Sequence, residues 1–235
     1  MNPNDPNVVL VEVVAARLGP LRKRLVFVGG CAAGLLITDP AQPAIRATED
    51  VDVVVETVTL RDYHAMEKEV AALGFQRDLR QGAPICRWRT GEVVMDLMPV
   101  DETVLGFSNR WYPLAVRTAR TVALPSGVEI RLIDAPAFIA SKLDAFSGRG
   151  NEDYLLSHDL GDVIAVIDGR EELAAEFGAA DPAIVQYVAD VFARLLDISA
   201  FRNALPGHLP GDAASQARLP DLEAKLHTLA DLRTR

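Results

Sequence analysis

Apolar and polar positions recur with two different periods along this chain, and the change of period divides it in two. In the first part, Val9, Leu10, Val13, Val14 and Leu18 fall at helical spacing, and Gly19-Pro20 ends the helix they predict. Leu25-Val26-Phe27-Val28 reads as a short buried strand, followed by Gly29-Gly30 and an apolar helix from Cys31 to Ile37. The polar stretch from Thr38 to Glu49, with Pro40 and Pro43, predicts an exposed loop. It leads into a β-branched strand from Val51 to Val55, then an amphipathic helix from Leu60 to Leu73 that Gly74 closes. Three short strands are expected at Phe75 to Leu79, Pro84 to Arg89 and Glu92 to Met98. A hairpin with Pro125-Ser126-Gly127 at its tip joins Thr121 to Leu124 with Val128 to Leu132.

Strand signals stop there. Asp134-Ala135-Pro136 is a helix start, with Asp134 as N-cap and Pro136 in the first turn. Helical patterns then occupy Phe138 to Phe146, Leu155 to Ile167, Glu171 to Phe177, Pro182 to Leu196 and Leu219 to Leu232. The expected architecture is α/β (α+β), a mixed sheet with flanking helices over residues 1–133 and a helical domain over 134–235.

Composition narrows the setting. With 49% apolar residues in 235, either part can bury a core without staples. Cys31 and Cys86 lie in segments that read as buried, so neither a disulfide framework nor a zinc site is expected, and a reducing cytoplasm is the simplest home. Val8 to Leu18 is interrupted by Glu12 and Arg17, which suits an amphipathic helix better than a signal peptide, and no stretch approaches the roughly 20 apolar residues of a membrane span. A formal charge of −9 argues against a broad basic field for nucleic acid. Basic residues do gather at Arg22 to Arg24, Arg77 to Arg89 and Arg110 to Arg120, with Trp88 and Trp111 among them. Their ordinary reading is as solvated faces.

Three carboxylates attract chemistry. Residues i and i+2 of a strand share a face, so Asp50 and Asp52 would present two like charges side by side, a pairing that favours a cation between them. Hard divalent cations take such oxygen ligands together with substrate phosphates. Asp96 stands in the apolar run Val93-Val94-Met95-Asp96-Leu97-Met98 and requires a partner or a metal, because an unpaired buried charge is costly. The ordinary reading has Asp50 capping the strand, Asp52 facing solvent and Asp96 pairing with Arg87 or Arg89. Gly29-Gly30 shifts the balance, because glycines between a strand and a helix let backbone N–H groups approach a phosphate at a helix N-terminus.

The order Phe27-Val28-Gly29-Gly30, then Arg46-Ala47-Thr48-Glu49-Asp50-Val51-Asp52-Val53, then Met95-Asp96-Leu97, resembles the signature of the nucleotidyltransferase (polymerase-β-like) superfamily. The resemblance covers roughly the first half of the chain. It implies a nucleotidyltransferase-type sheet, triphosphate contacts at Gly29 and Gly30, and Asp50 and Asp52 as ligands of two Mg2+ (or Mn2+) ions. It further implies that Asp96 completes that site, as the third carboxylate holding the metal and as general base for the incoming hydroxyl. The implied chemistry is in-line attack on the α-phosphate of an NTP with loss of pyrophosphate. Two metals about 3.5 to 4 Å apart stabilise attacking and leaving oxygens in such reactions.

Further on, Ile139-Ala140-Ser141-Lys142-Leu143-Asp144-Ala145, Gly148-Arg149-Gly150-Asn151-Glu152-Asp153 and His158-Asp159-Leu160-Gly161-Asp162-Val163 are similar to the carboxy-terminal motif of AbiEii-like nucleotidyltransferase toxins. That resemblance implies nucleotide contacts from Lys142 and Arg149, an RNA or tRNA 3′ end as acceptor, and a cognate antitoxin as partner. The residues by themselves equally allow Lys142 to pair with a nearby carboxylate and Arg149 with Asp153. Cys31 stands where the superfamily usually has serine or threonine, and the loop before Asp50 is longer than in the family pattern. A small-molecule or protein acceptor, and a non-catalytic nucleotide-binding protein, are the other readings. P-loop, His-Glu-x-x-His, Cys-x-x-Cys and Gly-x-Ser-x-Gly motifs are missing.

Overall fold

The computed structural model describes residues 5–43 and 45–233. Of these described residues, those up to Leu35 and Ala47–Asp134 form one compact unit; those in Leu36–Arg46 and from Ala135 onward form the other. The segment 36–46 thus belongs with the carboxy-terminal helices, a grouping that a single cut at residue 133 does not contain.

The first unit is built on a seven-stranded mixed sheet. Its elements are α1 (Pro6–Leu18), β1 (Leu25–Val28), α2 (Gly29–Leu36), β2 (Val51–Val55), α3 (Leu60–Ala72), β3 (Gln76–Arg77), β4 (Arg87–Thr90), β5 (Val93–Pro99), α4 (Glu102–Leu105), α5 (Tyr112–Thr118), β6 (Arg120–Ala123) and β7 (Glu129–Leu132). The strand order is β3-β4-β5-β2-β1-β7-β6. The β2–β5 and β1–β7 pairs are parallel; the other pairs are antiparallel. All four residues of β1 are buried, as its continuous apolar run requires of a strand covered on both faces.

Several boundaries depart from the sequence expectation. β3 holds only Gln76–Arg77, and β4 starts at Arg87 because Arg87 N–H closes a turn on the Pro84 carbonyl at 3.0 Å. Two helices were not signalled by periodicity. Asp101 caps α4 by accepting from Thr103 N–H at 2.8 Å, and Pro113 sits in the first turn of α5. Both are too short to show a period.

The second unit contains α6 (Ala135–Arg149), α7 (His158–Gly169), α8 (Leu173–Gly178), α9 (Pro182–Asp197), α10 (Ser199–Ala204), α11 (Ala213–Gln216) and α12 (Leu219–Ala230). Ile184, Val188, Val191, Phe192 and Leu195 give α9 one apolar face, which packs on α6 and α12. Ser157 caps α7, so Leu155 and Leu156 lie outside the helix expected from Leu155 and are exposed. The predicted exposed loop is fastened into this unit: Thr38 and Asp39 N–H both donate to the Gly169 carbonyl at 2.9 Å, and Arg218 donates to Asp39 and Gln42. Ala44, within that loop, lies outside the described residues. No helix among the described residues is long and apolar enough to cross a membrane.

Candidate functional site

The sheet brings the amino-terminal candidates together. β2 runs parallel to β5 with Asp52 opposite Asp96, and antiparallel to β1 with Asp52 opposite Val28, the residue before Gly29. Alternation then places Asp52 and Asp96 on one face, with Asp50 in the bend that leads into β2. Gly29 starts α2 with φ +69°, and a Cβ there would lie 1.7 Å from Asp52 Oδ2. Asp52 therefore lies against the glycine turn, and the N-terminal end of α2 favours its negative charge.

The residue that organises the site is Arg87, opposite Asp96 across the antiparallel β4–β5 pair. Its Nε donates to Asp96 Oδ1 at 2.8 Å and its Nη2 to Asp96 Oδ2 at 2.7 Å, a bidentate fork. The same Nη2 donates to Asp50 Oδ2 at 2.5 Å. These hydrogen bonds and charges raise the Arg87 pKa above its ordinary value despite partial burial. Asp96 thus meets Arg87, one of the two arginine partners that the sequence offered it. The local signal was the alternation Arg87-Trp88-Arg89 facing Val94-Met95-Asp96, but only strand register selects Arg87.

Beneath the cluster, burial pushes the Cys86 thiol up to about 12, and the charges of Asp96 and Asp52 add to the shift. Cys31 is fully buried and its Sγ donates to the Val28 carbonyl at 3.2 Å. The thiol is thus engaged by the end of β1.

The carboxylates differ in their fitness for a divalent cation. Asp50 and Asp52 carry carboxylate oxygens of the kind a hard cation takes, and the close approach of Asp52 to Gly29 holds that carboxylate at the turn. Both oxygens of Asp96 already accept from Arg87. Among the described residues no group of three or more His, Cys, Asp or Glu side chains is arranged around a metal position. The set fits an ion held by Asp50 and Asp52, and it does not fit one that draws on all three.

Lys142 and Arg149 belong to an ion cluster inside the helical unit. Lys142, only 8% exposed, bridges Asp159 at 3.0 Å and Asp162 at 2.8 Å. Arg149 forks onto Asp159, its Nε at 2.8 Å from Oδ2 and its Nη2 at 2.9 Å from Oδ1, and Arg46 reaches Asp162 at 3.5 Å. Burial by itself pulls the Lys142 pKa down, but Asp162 and Asp159 more than offset it and leave it raised. Burial likewise pushes Asp159 up, while Arg149 and Lys142 overcome this and leave it lowered. Asp159 and Asp162 had no role assigned from sequence; partners a helical turn apart on α7 are visible only once α6 lies beside it.

The arginines between residues 77 and 89 are held by carboxylates: Arg77 by Glu67, Arg80 by Asp78 at 2.6 Å, Arg87 as above and Arg89 by Asp78 at 3.8 Å. Two open grooves flank the far end of β2. One, about 540 Å3, is lined by Lys23, Arg24, Thr57 and Arg131; the other, about 380 Å3, by Glu56, Asp101, Glu102 and Arg117.

No family model and no curated protein matches this chain. Among solved structures, it is similar to the antibiotic-resistance factor ANT(2'')-Ia in solution, with 15% identity over 81% of this chain and 93% of that one and a TM-score of 0.48. It is also similar to ANT(2'')-Ia crystallised in complex with adenylyl-2''-tobramycin, with 16% identity, 80% and 97% coverage and a TM-score of 0.45. A candidate nucleotidyltransferase from H. pylori shows 11% identity, 96% and 91% coverage and a TM-score of 0.43.

Proposed function

We propose that this protein transfers a nucleotidyl group from a nucleoside triphosphate to an acceptor hydroxyl. The observation that carries the reading is the register that sets Asp96 opposite Asp52 on adjacent parallel strands, with Asp52 against the glycine turn at the start of α2. The acceptor oxygen attacks the α-phosphorus, the bond from that phosphorus to the bridging oxygen breaks, and pyrophosphate leaves. Asp96 receives the hydroxyl proton, and Arg87 holds its carboxylate in place. Gly29, lacking a side chain, lets the Asp52 carboxylate lie against the turn, and the N-terminal end of α2 favours the negative charge of a phosphate.

Asp50 and Asp52 would hold Mg2+ or Mn2+, which when bound supplies positive charge against the triphosphate. An RNA 3′ end remains the acceptor implied by the family resemblance. The carboxylate-held arginines between residues 77 and 89 favour a smaller acceptor, because a polyanion binds best to unneutralised positive charge.

The test is to incubate the chain with Mg2+, each α-labelled triphosphate and either total RNA or a small-metabolite fraction, beside Asp52→Asn. Label in an acceptor together with pyrophosphate release, both lost in the variant, is the expected result. Absence of both, with every triphosphate and either acceptor pool, overturns the reading.

A further inference from the structure

The larger groove, about 540 Å3, opens at the end of β2 remote from Asp52, and its lining residues all belong to the first unit. β1 pairs Val55 with Leu25 at this end and Asp52 with Val28 at the other, so the groove begins about 10 Å along the strand from Asp52. Its size suits a small molecule. Arg131 enters it from β7, with Nη2 donating to the Val116 carbonyl at 2.7 Å. That acceptor is neutral, so the guanidinium is fixed in place while no carboxylate among the described residues pairs with it. Lys23 makes no hydrogen bond or ion pair among the described residues, whereas the neighbouring Arg24 is taken by both oxygens of Glu69. Thr57 adds a hydroxyl where β2 ends: the residue is 6% exposed, and its Oγ1 has no hydrogen-bond partner among the described residues. A buried hydroxyl left unpaired is costly, and an acceptor bound in the groove supplies the partner. Two carboxylates line the same groove. Glu56 is exposed and makes no hydrogen bond or ion pair among the described residues, and Asp62 on α3 accepts at Oδ2 from the Thr59 hydroxyl at 2.7 Å.

Opposite charges that share a groove without pairing to each other are complementary to a molecule that carries both signs. Glu56 and Asp62 oppose a plain anion, and Lys23 and Arg131 oppose a plain cation. We propose that this groove is a second binding site, for a small zwitterion whose anionic head, a phosphate or a carboxylate, meets Lys23 and Arg131 beside Thr57 and whose ammonium group meets Glu56 and Asp62. The inference goes beyond nucleotidyl transfer and does not depend on it, since it uses none of Asp50, Asp52 and Asp96.

The experiment is a titration of the full, isotopically labelled chain followed by amide chemical shifts, with phosphoethanolamine and 4-aminobutyrate as probes and inorganic phosphate as the control. Saturable shifts at Lys23 and at Glu56, Thr57 and Val58 are expected with at least one zwitterion, and the better of the two tells a phosphate head from a carboxylate head. Inorganic phosphate should bind several-fold more weakly than that zwitterion. Lys23→Met and Glu56→Gln, both at exposed positions, should each weaken binding about three- to fivefold, the effect of one exposed charge pair. Arg131→Met should weaken it further, but it also frees the Val116 carbonyl, so the two exposed variants decide. The proposal is overturned if neither zwitterion shifts these amides, if the shifts gather elsewhere, if inorganic phosphate binds as tightly, or if both exposed variants bind as wild type does.

Discussion

The carboxylate of Asp52 lies so close to Gly29 that a methyl group there would sit 1.7 Å from Oδ2 and 2.7 Å from the Asp52 Cβ. The contact is with the short, fixed part of the side chain as well as its tip, so rotation alone cannot relieve it. Gly29 also has φ +69°, where an alanine costs about 1–2 kcal/mol. Gly29→Ala should lower the melting temperature and weaken Mn2+ binding by about tenfold or more, the loss typical when a supporting contact of a metal ligand is removed. Unchanged melting and Mn2+ affinity would show that Asp52 does not depend on the turn.

Asp52→Asn preserves shape and removes charge. Nucleotidyl transfer should fall by about 10²–10³-fold, the effect of losing one electrostatic contributor to a transition state. Thermal unfolding should change little, since Asp52 is only half-buried. The comparison is of pyrophosphate release at saturating triphosphate, with the melting curve alongside.

In the helical unit, Lys142→Met leaves Asp159 and Asp162 buried without their shared cation. Breaking a buried ion pair from one side costs about 3–5 kcal/mol, and denaturant unfolding should show a loss of that size. A shift near zero would mean that water or Arg46 restores the balance.

The same cluster sets a pH window. Asp159 is lowered in the folded state, so its stabilisation is present above the unfolded value of about 3.9 and is lost as pH falls through the folded value. Lys142 is raised, so its contribution is complete below 10.5 and is lost as pH rises through the folded value. Unfolding free energy measured against pH should therefore fall off on the acid side below about 4 and again on the alkaline side. Asp159→Asn should flatten the acid limb.

Both thiols are protected. Cys86 is pushed up to about 12 by burial and by Asp96 and Asp52, and Cys31 is fully buried on the Val28 carbonyl. At pH 8 an aromatic disulfide reagent should label neither in the native protein and both in denaturant, since the thiolate is the reacting form. Rapid native labelling of Cys86 would show that the strands above it open readily.

Sequence by itself determined the local elements and the chemistry on offer. Val51 to Val55 is a strand because five β-branched or small polar positions leave little else. Gly29-Gly30 marks the turn into α2, and the aspartates at 50, 52 and 96 are identifiable because carboxylates in or beside apolar strands require partners. The short helices α4 and α5 escaped because they are capped pieces without a period. Tertiary structure decided what those aspartates meet. β5 lies beside β2 with more than 35 residues between them, and their register puts Asp52 opposite Asp96, whereas a one-residue slip would set it opposite Met95 or Leu97. The separate β4–β5 register delivers Arg87, and not Arg89, to Asp96. It was also packing that fastened Leu36–Arg46 to the helical unit and enclosed Lys142 between two aspartates, because partners far apart in sequence are selected by which surfaces are excluded from water.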